Sequence, residues 1–339
     1  MSQSEPRRSL PTLWNILKII LALVLVGFVL SRTDLAQLFA LRERISLPWL
    51  AAGIILYFTL TLLKAMQYYF FIGRRVNYPQ VLNIVVVQNA VSNFIATGAG
   101  IASFFALFRV EQGVKISRAA LAFVLAKVAD LISIWLFLLV TGSLVWQDVK
   151  ALHQLIFILL IGIGGAILVF FLGIFLRQKF ISLLQGLVDS FKLNRLGIVI
   201  KGMDIMRSLA EQEHGFVFRM IGTGILFSLV YMAVTMLWIY SGFKTFAFEI
   251  GALPVIFVNV FMQLVSYLPI QAFGGLGVNE TTMLYLYTFF QFPQAELASV
   301  LIGARLLFYL TNLVVLIYLP VYSFFSNRSH VLPEKNAKL

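Results

Sequence analysis

Among the ionisable residues that fall inside apolar runs are Lys64, Lys127, Asp130, Glu280 and Arg305. Charges at membrane depth are costly and by default mark an ion or substrate path. Lys127 and Asp130 are three residues apart, so a helix puts them on one face. There they either neutralise each other as a packing pair or serve a headgroup or proton pathway. Arg305 has no acidic neighbour in its own run, and Glu280 is its expected partner. Lys64 precedes Arg74 by ten residues, roughly 15 Å along a helix. Snorkelling covers part of that distance.

Two breaks accompany these charges. The first is Thr97-Gly98-Ala99-Gly100, in a run that also carries Asn83, Gln88, Asn89, Ser92 and Asn93 and ends at Arg109. In the second, Pro269 lacks a backbone donor and Gly274, Gly275 and Gly277 weaken any helix. Asn279 and Glu280 follow at once. A break at membrane depth is tolerated only where protein or a water-filled cavity covers the backbone. Half-helix N-termini at such breaks favour anions. Asn93, Asn259 and Gln263 either satisfy broken backbone and neighbouring helices or touch a substrate. The candidate substrate-binding set is Lys64, Asn93, Gly98, Gly100, Arg109, Lys127, Asp130, Asn259, Gln263, Gly274, Gly275, Gly277, Asn279, Glu280 and Arg305.

The elements that must position these residues are membrane helices. The chain has 339 residues, 60% hydrophobic and 12% charged, with mean hydropathy +0.94. A soluble domain carries about 25% charged residues. Several apolar runs exceed the roughly 18 residues that suggest a bilayer span. The fold class is therefore an all-α polytopic membrane protein. The net charge is +12, and most of the basic residues lie between apolar runs. They read as topology signals and contacts with anionic lipid on the cytoplasmic side, not as a nucleic-acid surface. There is no cysteine, which excludes disulfides and thiolate chemistry. His153, His214 and His330 are far apart and suggest no metal site. No cofactor is expected. The start of the chain lacks an Ala-x-Ala-like cleavage site and reads as a retained span.

The positive-inside rule orders the spans. Full spans are expected at about 13–30, 48–72, 119–145, 155–176, 216–240 and 297–325. The stretch at about 81–112 is expected to be a re-entrant hairpin from the cytoplasm. As a single span it would place the longest basic loop (Arg177, Lys179, Lys192, Arg195, Lys201, Arg207) outside. Residues 253–292 form the opposed hairpin, entering from outside. Between them, about 178–213 reads as an interfacial segment, with Phe180, Leu183, Leu184, Leu187, Val188 and Phe191 at helical spacing. Packing of that face on the protein's own cytoplasmic side fits the periodicity equally well. Both termini are expected to be cytoplasmic, with residues 328–339 as a tail.

The two broken stretches resemble each other. Asn83 aligns with Asn259, Ala96–Gly100 with Ala272–Gly277 after one insertion, and Lys127 with Arg305. Residues 1–150 and 151–327 would then be two repeats, each with three full spans and a hairpin. Three is odd, so the second is inverted. Inverted repeats with broken helices meeting near the midplane are a transporter signature.

The chain also resembles a known family, the transmembrane region of lysylphosphatidylglycerol synthases and related flippase-like proteins. The carriers are Pro269-Ile270-Gln271-Ala272-Phe273-Gly274-Gly275-Leu276-Gly277-Val278-Asn279-Glu280, which is similar to the family's Pro-x-x-x-Gly-Gly-x-Gly-x-x-Glu, and Gly113-Val114-Lys115-Ile116-Ser117 before the span with Lys127 and Asp130. Two features depart from the family pattern: Ile101 follows Gly100 where an acidic residue is usual, and Lys127 stands where arginine is common. The resemblance implies a stand-alone lipid-moving module without an aminoacyltransferase domain, in the inner or plasma membrane. It would move an anionic phospholipid or lipid-linked headgroup between leaflets, and would not be an enzyme. A partner synthase or a homo-oligomer is a further expected association. Alternatives are a small-anion transporter or channel, and a scaffold for cell-envelope lipid or glycan synthesis.

Overall fold

The computed structural model describes residues 40–73, 76–176, 178–190, 214–267 and 273–329. The expected first span at 13–30 lies outside the described residues, as do Arg74, Arg75, Pro269 and residues 330–339 of the tail. Among the described residues the secondary structure is helical throughout, without strands.

Helix α1 (Leu47–Ile72) starts with Pro48 in its first turn and stops at Gly73, which has φ +89°. Helices α2 (Tyr78–Phe94) and α3 (Thr97–Gln112) follow and pack on each other. Next come α4 (Ile116–Leu144), α5 (His153–Leu176), α6 (Gln178–Ser190) and α7 (His214–Thr245). The chain closes with α8 (Ala252–Val265), α9 (Val278–Tyr287), α10 (Gln294–Leu316) and α11 (Tyr318–Ser329).

Among the described residues, five segments are long and apolar enough to cross a membrane: Leu47–Ile72, Ile116–Leu144, Lys150–Leu176, Val217–Thr245 and Gln294–Phe324. They match the expected spans other than the first. Helix α5 is apolar on nearly all sides, with Phe157, Ile158, Ile161, Leu168, Val169 and Phe175 exposed. Such a helix suits the lipid-facing rim of a bundle. The expected last span is two helices that meet at Ile317. Pro320 supplies no amide hydrogen for the Leu316 carbonyl, and its ring crowds that position, so the ladder breaks there.

The first break lies at Ile95–Ala96, not at Thr97–Gly100, which instead forms the first turn of α3. Ala96 is extended, and its carbonyl accepts from the Gly100 amide. Gly100 serves packing. A Cβ there would run into Ser92 Oγ and come within 2.8 Å of the Gln88 carbonyl oxygen, so the glycine lets α2 and α3 lie against each other. Gly100→Ala should therefore destabilise the protein by about 1–3 kcal/mol through overpacking. Adding Ser92→Gly should restore only part of this, because the Gln88 carbonyl remains. Thermal unfolding in detergent checks both.

The second break is longer. Helix α8 ends at Val265, a 3-10 turn covers Phe273–Gly275, and α9 starts at Val278, so Glu280 is helical. Gly274, Gly275 and Gly277 have φ of +64°, +82° and +79°. L-residues with side chains rarely adopt those values.

Two apolar cores result. One gathers α1, α2, α3, the first half of α4 and the start of α7, including Tyr68, Ile84, Phe104 and Phe108. The other gathers the second half of α4, the end of α7, α8, α9 and α10, including Leu138, Phe257, Tyr287 and Leu297. Each broken helix pair thus has its own core. Helix α6 covers the first part of the expected interfacial segment, and it packs on α5. Residues 191–213 of that segment lie outside the described residues.

Candidate functional site

The two breaks meet. A Cβ on Gly274 would lie 3.0 Å from the Asn93 carbonyl oxygen, so the tip before α9 rests on the last turn of α2. Arg305, from α10, anchors that tip. Its Nη2 donates to the Gly274 carbonyl at 2.7 Å, and its Nε lies 3.3 Å from Glu280 Oε1. Glu280 in turn accepts from the Gly277 amide at 2.6 Å, which is the carboxylate half of a capping box. The Asn279 side-chain amide donates to the same Gly274 carbonyl at 3.2 Å. Both charged side chains are largely buried, 10% exposed for Arg305 and 8% for Glu280. The expected Glu280–Arg305 pair is therefore formed. It ties α9 and the Gly274 tip to α10.

Beside this pair is a cavity of about 340 Å³. Its wall includes Asn93, Asn259, Gln263, Gly274, Asn279, Glu280 and Arg305 from the expected set. Leu50 and Gly53 of α1, and Thr235 to Thr245 of α7, complete one side. Asn259 is buried, 1% exposed, and its Nδ2 has no hydrogen-bond partner among the described residues. Trp238 and Phe308 add an apolar face. Volumes of about 300–1,000 Å³ with a few convergent polar groups are typical of small-molecule sites.

The remaining charges line a different, smaller cavity of about 70 Å³. Here the expected pairing changes. The close partner of Asp130 is Lys64, whose Nζ reaches both carboxylate oxygens at 2.9 and 2.8 Å. Lys127 is farther, at 3.6 Å from Asp130 Oδ2. The spacing of three does place Lys127 and Asp130 on one face. The Lys64 ammonium, which reaches in from α1, is better placed to donate to both oxygens. Ser228 of α7 donates to Asp130 Oδ1 at 2.8 Å, and Lys64 also donates to Gln67. Gln67 donates to Ser228 at 2.9 Å and closes the ring. Helices α1, α4 and α7 are thereby tied by one polar cluster. Gln263 and Ser266 line both cavities and separate them.

Five expected residues join neither cavity, three of them on α3. Gly98 and Arg109 are exposed, on the outer side of α3. Gly100 is buried, but in the α2–α3 packing seam. Once the break moves to Ile95–Ala96, α3 runs away from the tip and carries Arg109 with it. Gly275 and Gly277 shape the second tip without lining either cavity.

A further polar cluster escaped the sequence. Tyr57 Oη donates to Asn312 Oδ1 at 2.6 Å, and Asn93 Nδ2 donates to the same oxygen at 2.7 Å. This joins α1, α2 and α10 directly beneath the Gly274 contact. The available signal was Asn312, an amide in the middle of the last apolar run. Asn312→Leu removes the shared acceptor and should cost about 1–3 kcal/mol. A lower melting temperature in detergent, with Tyr57→Phe milder, is the expected result.

Long apolar helices interrupted by two touching breaks, with charges at the breaks, define a multi-pass membrane protein. The chain matches the family model for the lysylphosphatidylglycerol synthase TM region over residues 15–315, so it belongs to that family. No curated protein and no solved structure matches it.

Proposed function

We propose that this protein moves an anionic phospholipid, or a lipid-linked intermediate, between the leaflets of the inner or plasma membrane. The observation that carries this is the 340 Å³ cavity at the meeting point of the two breaks, with Arg305 in its wall. The volume suits a headgroup and not a whole lipid, so the acyl chains would stay in the bilayer. The Arg305 guanidinium presents donors to a phosphate, which suits its planar fork. Glu280 balances its charge while the cavity is empty. Asn93, Asn259, Gln263 and Asn279 would meet the polar remainder of the headgroup, with Gly274 shaping the floor.

In this account the protein is a transporter and not an enzyme, and needs no cofactor. Six spans and two opposed re-entrant hairpins, α2–α3 and α8–α9, would form an inverted repeat divided near residue 150, with both termini cytoplasmic. Helix α6 would lie on the anionic lipid surface of the cytoplasmic leaflet. A synthase partner or a second copy of the chain would feed or remove the lipid.

Purified protein in liposomes containing a fluorescent phospholipid tests the proposal. Faster exchange of the label between leaflets is expected, lost when Arg305 is replaced by alanine. Flux of a soluble anion without lipid movement would favour an anion transporter instead. Normal envelope synthesis with charge-neutral substitutions at the breaks would favour a scaffold.

A further inference from the structure

We infer that the second cavity, between α1, α4, α7 and α8, is a binding site for one small monovalent inorganic anion. The inference concerns a different site from the headgroup cavity and stands independently of the lipid proposal.

Charge balance carries it. Among the described residues, the charged side chains lining this cavity are Lys64, Lys127 and Asp130, a sum of +1. Tyr231 and Tyr267 are the other titratable groups in its wall, and their hydroxyls are neutral at ordinary pH. Asp130 is already matched: Lys64 reaches both of its oxygens and Ser228 donates to one. Lys64 spends a further donor on Gln67. The remaining positive charge resides on Lys127, whose nearest carboxylate is 3.6 Å away and neutralised by Lys64. Lys127 lies eleven residues into α4, roughly 16 Å from its start at Ile116. It is 40% exposed and stands 5.1 Å from the Tyr267 ring centre. An ammonium at that depth with an unmatched charge favours an anion beside it.

Size selects the anion. A water needs about 10–15 Å³, so 70 Å³ holds a hydrated halide or one small oxyanion. It is about a fifth of the headgroup cavity. Lys127 would face the anion, with the Tyr231 and Tyr267 hydroxyls as neutral donors and the Tyr267 ring behind the ammonium. Gln263 and Ser266, shared with the larger cavity, give an anion here a direct way to alter the wall of the headgroup site.

Chloride is the probe. Isothermal titration of the purified protein in a chloride-free gluconate buffer should show saturable binding of one chloride per chain. Lys127→Gln should weaken it by on the order of tenfold or more, the loss of one charged donor. Lys127→Arg should retain it, and Arg109→Gln, exposed on α3 and outside both cavities, should leave it unchanged. Melting curves of each variant keep misfolding apart from lost binding. No saturable chloride binding by the wild type would overturn the inference. So would equal binding by Lys127→Gln, loss with Arg109→Gln alone, or displacement of the chloride by a short-chain phospholipid at stoichiometric amounts. Lipid exchange in liposomes measured in gluconate alone reports on the headgroup cavity separately.

Discussion

Replacing Glu280 by alanine is expected to destabilise the protein by about 3–5 kcal/mol, because it leaves the Arg305 charge buried without its carboxylate. Arg305→Ala leaves the converse, and it also removes the donor to the Gly274 carbonyl that holds the tip. Either single change therefore mixes folding with function. The double replacement Glu280→Met/Arg305→Met separates them. Exchanging a buried ion pair for apolar side chains of similar size is often neutral or stabilising by about 1–4 kcal/mol. Loss of the carboxylate cap on the Gly277 amide offsets about 1 kcal/mol of that. The double variant should melt within a few degrees of the wild type and should no longer bind a phosphate headgroup. Melting temperature and retention of co-purified phospholipid, compared across the two singles and the double, check this. A double variant that still holds lipid as the wild type does would remove Arg305 from the site.

The second large effect belongs to Lys64. Lys64→Met leaves Asp130, 13% exposed, with Ser228 and the more distant Lys127. Breaking a buried pair from one side costs about 3–5 kcal/mol. The chain should express poorly or melt far lower. Lys64→Met/Asp130→Leu should recover most of the loss, since no unmatched carboxylate remains. A smaller penalty for Lys127→Met than for Lys64→Met distinguishes the observed pairing from the one that spacing along α4 suggests. A double-mutant cycle in detergent gives the Lys64–Asp130 coupling directly.

The sequence made the charged residues and the membrane spans legible for a simple physical reason. An ion inside an apolar run is conspicuous because water is far away, and the helix period needs no partner to be read. Glu280 and Arg305 could be matched because each lacked an acid or base within its own run. What one helix cannot show is which neighbour packs against it. Asp130 looked nearest to Lys127 along α4, yet Lys64 on α1 comes closer in space. Glycine misled for a related reason. Gly98 and Gly100 weaken a helix in isolation, but Gly100 is there so that α2 and α3 can touch, and the chain breaks before both, at Ile95–Ala96. At the second site the glycines do mark the break, because Gly274, Gly275 and Gly277 take positive φ. Tyr57 and Asn312 were hidden because a hydrogen bond between residues 255 apart leaves no local pattern.

The proposed route takes the lipid headgroup through the cavity beside Glu280 and Arg305. Its most direct test is leaflet exchange of a fluorescent anionic phospholipid in liposomes, followed by dithionite quenching. Wild-type protein should make the inner-leaflet label accessible, and Glu280→Met/Arg305→Met, folded by its melting curve, should leave that label protected as in protein-free vesicles. Exchange by the folded double variant at the wild-type rate would contradict the account.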